Sequence, residues 1–135
     1  VMKITELSNI AILDDKCLEE MNTTLYELLA DSQALITDYS SVYYDYLLNK
    51  KPIGVTLEDA DEFSRKWKFY IKDIKKELPG EKLQNVEDLL EFIEDIKNDV
   101  DRSYEKRMAL VERFGIKEEL SSPLIWNYLK DRLKR

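Results

Sequence analysis

The amino-acid sequence predicts an α/β fold in which a parallel sheet is flanked by helices. Short apolar runs alternate with helical patterns in the first half of the 135-residue chain, which is typical of β-α-β units. Amphipathic helical patterns dominate the second half. The hydrophobic fraction of 44% is enough for one core but not for two. We therefore expect a single domain over residues 1–135, with a helical extension over residues 99–135.

Three apolar runs predict the strands. They cover residues 9–13, 34–37 and 52–55. We expect the first two to be buried, and the third tolerates Pro52 at its first position. Three strands make a narrow sheet, and the chain opens on Val1, so we expect further strands upstream in a longer protein.

Two helices are predicted between these strands. Asn22 or Thr23 caps the first, and its apolar face carries Leu25, Leu28 and Leu29. The second runs over residues 41–48, and its apolar positions are Val42, Tyr43, Tyr46 and Leu47.

The second half opens with a charged and aromatic stretch over residues 57–80, which we expect to lie on the surface, with a short helix at 59–66. Asn85 and Asp88 then resemble a capping pair. They precede an apolar stripe at helical spacing, formed by Val86, Leu89, Leu90, Ile93 and Ile96.

Two more helices complete the chain. Asp101 or Ser103 opens one of them, and Gly115 is placed to end it in a left-handed conformation. Ser122 and Pro123 start the last helix. We expect Trp126 to anchor that helix against the sheet or against a domain outside this chain.

Composition excludes several functions. A formal charge of −7 disfavours nucleic acid as a partner, since phosphate backbones are bound by clustered Lys and Arg. Cys17 is the only cysteine, and there is no histidine, so neither Ser-His-Asp chemistry nor a His-ligated or thiolate metal cluster is available. We expect no metal and no cofactor. Short apolar runs favour a soluble, cytoplasmic chain.

The strongest candidate site is the polar segment that follows the predicted strand 34–37. Thr37, Asp38, Tyr39, Ser40 and Ser41 run from the carboxyl end of that strand into a helix. Ligands of open α/β sheets bind at this end, and hydroxyls beside a helix amino terminus suit a phosphate or pyrophosphate. Asp, Ser and Thr are also ordinary N-cap residues, and some residue must cap this helix, so spacing alone favours capping.

Carboxylates near this segment extend the candidate site. Asp45 lies one turn after Ser41. Asp59 and Asp61, with their neighbours Glu58 and Glu62, follow the predicted strand 52–55 and suit a ribose, a glycerol hydroxyl or a cation, or simply the first turn of a helix. Aromatic residues that could stack on a base, or belong to the core, are Tyr43, Tyr44, Trp67, Phe69 and Tyr70.

A wider pattern carries a family resemblance. Leu28-Leu29, the run from Ala34 to Leu47 with its Thr-Asp-Tyr-Ser-Ser core, and Lys51-Pro52-Ile53 closely resemble the carboxy-terminal signature of the CDP-glycerol glycerophosphotransferases. The likeness continues through Asp59 to Phe63, Phe69-Tyr70 and Pro79-Gly80. It covers roughly residues 9 to 98.

The resemblance implies the carboxy-terminal, Rossmann-like nucleotide-binding domain of a GT-B protein, whose amino-terminal domain is missing from this chain. It implies a parent enzyme, peripheral at the inner face of the cell membrane, that transfers glycerol phosphate from CDP-glycerol to a lipid-linked polymer acceptor in teichoic acid synthesis. Ser40 and Ser41 are then expected to hold the pyrophosphate, with Asp38 and Asp45 shaping the pocket. The family's catalytic histidines have no counterpart here, so no catalytic residue is expected and the chain alone should be inactive.

Two alternatives remain at this stage. One is a GT-B glycosyltransferase that uses a nucleotide sugar for capsular polysaccharide, because its fold and phosphate site would look the same. The other is a non-catalytic α/β interaction module, which would bind no nucleotide.

Overall fold

The computed structural model describes residues 3–4, 10–66, 74–116 and 121–133. The elements, in chain order, are β1 (Lys3–Ile4), β2 (Ala11–Ile12), α1 (Asp15–Glu20), α2 (Leu25–Asp31), β3 (Leu35–Thr37), α3 (Val42–Tyr46) continued by a 3-10 turn (Leu47–Asn49), β4 (Ile53–Val55), α4 (Ala60–Lys66), α5 (Ile74–Glu77), β5 (Glu81–Lys82), α6 (Val86–Lys97), α7 (Tyr104–Phe114) and α8 (Ser121–Leu133).

The central sheet is parallel, with strand order β3-β4-β5. Leu35 pairs with Ile53 and Thr37 with Val55, so the carboxyl ends of β3 and β4 lie side by side. Val55 in turn pairs with Lys82 at the end of β5. The predicted α/β class, with a small parallel sheet and flanking helices, is confirmed, as are the strands at 34–37 and 52–55.

The third strand of this sheet was not predicted. β5 consists of Glu81 and Lys82, and two charged residues give no apolar run to recognise. It forms because Gly80 brings the chain against β4: a Cβ at this position would lie 2.8 Å from the Ile53 carbonyl oxygen.

The prediction that residues 9–13 form a buried strand of the parallel sheet is wrong, both in the sheet to which the strand belongs and in its burial. Ala11–Ile12 pairs antiparallel with β1 in a separate two-stranded sheet, and both of its residues are exposed. A short apolar run has the same appearance in a buried parallel strand and in an exposed hairpin, so periodicity could not separate them. β3 also falls short of full burial, since Ile36 is exposed on it.

Helices cover both faces of the sheet around β4. Ile53 and Val55 belong to the main core cluster, with Tyr43 and Tyr46 of α3 and Leu110 of α7. The helical stripe predicted for α3 is thereby confirmed.

Gly54 faces the opposite side, because side chains alternate along a strand. A Cβ there would lie 2.7 Å from Leu83 Cδ1 and 3.1 Å from Phe92 Cε1 of α6. The absence of a side chain at Gly54 lets α6 approach this second face.

The start of α2 differs from the prediction. Thr24 is the N-cap, rather than Asn22 or Thr23, and it forms a complete capping box with Glu27. Asn22 has φ 52° and lies just after α1. No residue of α2 is buried, since Leu25 and Leu28 of the expected apolar face are exposed.

The cap predicted for α6 is confirmed, but its apolar stripe is only partly buried. The Asp88 N–H donates to Asn85 Oδ1 at 2.8 Å. Phe92 is the buried residue of this helix, while Val86 and Leu90 are exposed.

The helix α7 begins after Ser103, and Gly115 ends it with φ 61°, as predicted. Arg107, buried on α7, pairs with Asp101. The helix α8 already includes Ser121, so Ser122 does not cap it, and no side chain of this helix is buried. Trp126 is 63% exposed and does not anchor α8 against the sheet.

The predicted short helix at 59–66 is confirmed as α4. The aromatic residues Trp67, Phe69 and Tyr70 lie outside the described residues. Tyr43 is a core residue and Tyr44 packs against the core, so of the two roles that the sequence allowed for these tyrosines, the structure shows packing. Across the described ranges, none of the helices combines the length and apolar character needed to cross a bilayer.

Candidate functional site

The candidate site lies where β3 and β4 end. The Thr56 N–H donates to the Thr37 carbonyl oxygen at 3.0 Å, which ties the first residue after β4 to the last residue of β3. Two polar loops leave the sheet from this point, one toward α3 and the other toward α4. This is the carboxyl edge, at which ligands of open parallel sheets bind.

Asp38 shapes the first loop. Its Oδ1 accepts the Ser40 N–H at 2.7 Å, which closes a turn over two residues. The turn sets the path from β3 into α3 and leaves both Ser40 and Ser41 exposed.

The hydroxyl of Ser41 is not used to cap the helix that follows it. Ser41 is the N-cap of α3, yet its backbone is helical (φ −60°, ψ −25°), and in the described part of the chain its side chain makes no capping hydrogen bond. Asp14, Thr24 and Asn85, the N-caps of α1, α2 and α6, all accept a backbone N–H. Capping therefore does not explain the hydroxyl at Ser41.

The macrodipole of α3 contributes less than the sequence suggested. The helix proper is five residues long before it tightens into the 3-10 turn. Because a helix dipole grows from aligned peptide units, hydroxyl and backbone N–H groups must provide most of any anion binding here.

Tyr39 and Asp59 join the two loops. The Tyr39 hydroxyl donates to Asp59 Oδ2 at 3.1 Å, and the Tyr39 ring packs on Phe63 of α4 with centroids 4.6 Å apart. Burial, and secondarily the hydrogen bond to Asp59, raise the pKa of Tyr39. Asp61 is exposed in the first turn of α4.

Asp45 is engaged by the neighbouring helix. Its Oδ2 accepts the Tyr26 hydroxyl of α2 at 3.2 Å, and this bond raises the pKa of Tyr26. The structure thus directs Asp45 toward α2, while the other predicted residues cluster around the ends of β3 and β4.

A cavity of about 450 Å³ opens beside these loops, at the ends of β4 and β5, and its lining residues are Val55, Leu57, Glu58, Lys82 and Gln84. Lys82 Nζ donates to the Leu78 carbonyl oxygen at 2.7 Å, and burial lowers the Lys82 pKa. Sequence reasoning missed Lys82 and Gln84, because the strand that positions them was not recognised. Pro79-Gly80 before them was the available signal.

The polar groups at this site are hydroxyls, carboxylates, an amide and a lysine. Among the described residues, no group of three or more His, Cys, Asp or Glu side chains could hold a metal ion. The chain has no histidine, so an acid or base within it would have to be a carboxylate, a lysine or a tyrosine.

Fold and site together define an α/β protein with two polar loops at the carboxyl edge of a small parallel sheet, the edge at which ligands of such sheets bind. The chain belongs to the family described as CDP-Glycerol:Poly(glycerophosphate) glycerophosphotransferase, whose model matches residues 11–119. That range contains both loops and the cavity.

Curated relatives agree with this assignment. The chain is 32% identical over 93 residues to a teichoic acid glycerol-phosphate transferase of Staphylococcus aureus, a match that covers 66% of this chain and 24% of the relative. It is 35% identical over 72 residues to a teichoic acid poly(glycerol phosphate) polymerase of Bacillus subtilis, covering 53% and 10%.

A third relative acts on a different polyol. The chain is 37% identical over 71 residues to a teichoic acid ribitol-phosphate primase of Bacillus spizizenii, covering 53% of this chain and 18% of the relative. The matched stretch thus spans about a quarter or less of each of these three relatives. No solved structure matches the chain significantly.

Proposed function

We propose that this chain is the carboxy-terminal, nucleotide-binding domain of a longer GT-B glycerophosphotransferase, and that it binds the donor CDP-glycerol. The parent transfers glycerol phosphate to a lipid-linked acceptor during synthesis of teichoic acid or a related surface polymer. Family membership over residues 11–119 and the names of the relatives support this reading. Residues 1–135 form one domain in this proposal, and residues 99–135 form its helical extension.

The observation that carries the proposal is that the Ser41 hydroxyl makes no capping hydrogen bond in the described structure. Asp38 already closes the loop, and Ser41 begins α3 without a capping bond from its side chain in the described structure. Two adjacent exposed hydroxyls at the carboxyl edge are suited to donate to a pyrophosphate. Ser40 and Ser41 hold the pyrophosphate in this proposal.

The neighbouring residues support that loop. Asp38 fixes its turn, and Tyr39 links it to Asp59 on the loop after β4. Thr37 anchors the loop to the end of the sheet through its carbonyl oxygen. Asp61, in the first turn of α4, and Asp45, which Tyr26 holds toward α2, remain substrate-binding candidates in this proposal.

The proposed reaction moves one phosphoryl group. The acceptor hydroxyl oxygen attacks the phosphorus of the glycerol phosphate group, the bond from that phosphorus to the bridging oxygen breaks, and CMP leaves with that oxygen. The hydroxyl proton passes to a base. This chain has no histidine to act as that base, so we assign the base to the amino-terminal domain of the parent. We also propose that the parent enzyme works at the inner face of the cell membrane.

Calorimetric titration of the chain with CDP-glycerol, CDP and UDP tests the proposal. The test variant carries Ser40→Ala and Ser41→Ala together. Ser121→Ala with Ser122→Ala is a matched control, because it removes an equally adjacent pair of exposed hydroxyls at the start of α8.

Cytidine ligands should bind to the wild type and to the control, and bind at least about tenfold more weakly to the test variant, since each lost charge-assisted hydrogen bond costs about 1.5–3 kcal/mol. Preference for UDP would instead favour a nucleotide-sugar glycosyltransferase. Absence of binding by any of the three ligands would contradict donor binding by this chain and favour an interaction module.

A further inference from the structure

The cavity at the ends of β4 and β5 is adjacent to the loop between β3 and α3, residues 38–41, which carries Ser40 and Ser41 and is called the serine loop below. Val55 ends β4 directly beside Thr37, and Lys82 ends β5 directly beside Val55. Neighbouring strands lie about 4.8 Å apart, so the end of β5 is roughly 10 Å from the end of β3. A donor whose pyrophosphate lies on the serine loop can therefore reach the cavity with one of its two ends.

The lining chemistry discriminates between those two ends. Glu58 offers carboxylate acceptors, Gln84 offers an amide donor and an acceptor, and Lys82 offers an ammonium donor. A polyol presents hydroxyls that both donate and accept, so it can satisfy this mixed set. A base is best held between flat aromatic or apolar walls. To this lining the described residues contribute two aliphatic side chains, Val55 and Leu57, and no aromatic ring, while polar groups supply the rest.

The walls are held in place by contacts that do not depend on a ligand. Lys82 Nζ is bound to the Leu78 carbonyl oxygen, and the Gln84 N–H donates to Asp88 Oδ2 at 2.9 Å. Glu58 and Gln84 line the cavity and are solvent-exposed residues. Both can therefore be changed without removing a recorded backbone contact.

From this geometry we infer that the cavity formed by Val55, Leu57, Glu58, Lys82 and Gln84 binds the polyol end of the donor, and that Glu58 and Gln84 read its hydroxyl groups. The inference rests on the proposed function. The inference assigns a specificity-determining role to residues outside the serine loop. In relatives that use ribitol in place of glycerol, the corresponding cavity would select the polyol.

The test compares the affinity for CDP-glycerol with the affinity for CDP, which lacks the polyol. The variants are Gln84→Ala and Glu58→Gln. Their matched controls are Gln33→Ala, at the amino-terminal side of β3, and Glu19→Gln, on the exposed face of α1.

Each cavity variant should lose about threefold to tenfold in affinity for CDP-glycerol while its affinity for CDP stays unchanged, since one neutral hydrogen bond is worth about 0.5–1.5 kcal/mol. The controls should match the wild type with both ligands. Equal losses for CDP and CDP-glycerol, or no loss for either, would overturn the polyol assignment while leaving cytidine binding intact. Failure of the wild type to bind CDP would refute the proposed function itself, and this inference with it.

Discussion

The helices α2 and α3 begin with similar residues but use them differently. At the start of α2, Thr24 and Glu27 satisfy each other's backbone N–H groups in a closed capping box. At the start of α3, the Ser41 side chain makes no such bond in the described structure, although the α3 side chains Tyr43 and Tyr46 are buried in the core.

The difference shows two ways to stabilise a helix. The helix α2 has no fully buried residue and carries a complete capping box, whereas α3 buries Tyr43 and Tyr46 and leaves its first hydroxyl without a capping bond. Because buried side chains stabilise α3, its first residue does not need to form a side-chain cap. We propose that the ligand binds at this uncapped start.

The largest effect should come from removing the packing of α3. Leu47→Ala, in the 3-10 turn that continues α3, deletes a core side chain that is 1% exposed, and we expect it to lower the free energy of unfolding by about 2–5 kcal/mol. Leu25→Ala on α2, at 50% exposure, is the matched control and should cost far less. Urea unfolding followed by circular dichroism measures both, and equal losses would contradict the contrast between the two helices.

Alkaline pH should act on the two helices unequally through their tyrosines. Burial raises the pKa of Tyr43 on α3 well above its usual range, and its hydroxyl donates to the Pro79 carbonyl oxygen. A raised pKa in the folded state means that stability is present below about pH 10 and falls as pH rises further.

The slope of that fall can be assigned to Tyr43. Above about pH 10, Tyr43→Phe should reduce the loss of unfolding free energy by about 1.4 kcal/mol per pH unit. Tyr26→Phe on α2 is the comparison variant: its raised pKa comes from an exposed hydrogen bond to Asp45, which solvent screens, so this change should alter the slope much less. Urea titrations between pH 9 and pH 11 measure the slopes, and an unchanged slope in Tyr43→Phe would refute the assignment.

A smaller effect is expected at the cap of α2. Thr24→Ala removes both the acceptor for the Glu27 N–H and the Thr24 hydroxyl that donates to Glu27 Oε2 at 2.9 Å. The loss should be about 1 kcal/mol of unfolding free energy, with nucleotide affinity unchanged. Thr24→Ser keeps the cap and should restore most of the stability. A loss that Ser fails to recover would show that capping is not the reason.

Sequence patterns recovered the parts of the fold with strong local signals. The strands at 34–37 and 52–55 and the Asn85 cap follow from apolar runs and capping chemistry. The strand Glu81–Lys82 is set by tertiary contacts at Gly80, so its two charged residues carried no signal. The run at 9–13 was apolar without being buried.

The residues of the candidate site fall into the same two groups, those with a local sequence signal and those without one. The serine loop could be located because it directly follows a recognisable strand. Asp59 could be located because it lies in the loop after β4, which was also recognisable. Lys82 and Gln84 could not be located, because their position depends on β5. Ser41 shows the limit of local reasoning most clearly, since sequence alone could not separate a cap from a free hydroxyl.

The most direct test of the account is therefore to measure unfolding free energy and CDP-glycerol affinity for two variants in parallel, Ser41→Ala and Thr24→Ala. Ser41→Ala should leave stability within about 0.5 kcal/mol of the wild type and weaken binding about tenfold, because its hydroxyl serves the ligand and not the helix. Thr24→Ala should show the reverse. If Ser41→Ala instead lost about 1 kcal/mol of stability and kept full affinity, Ser41 would be an ordinary cap and the proposed donor site would be wrong.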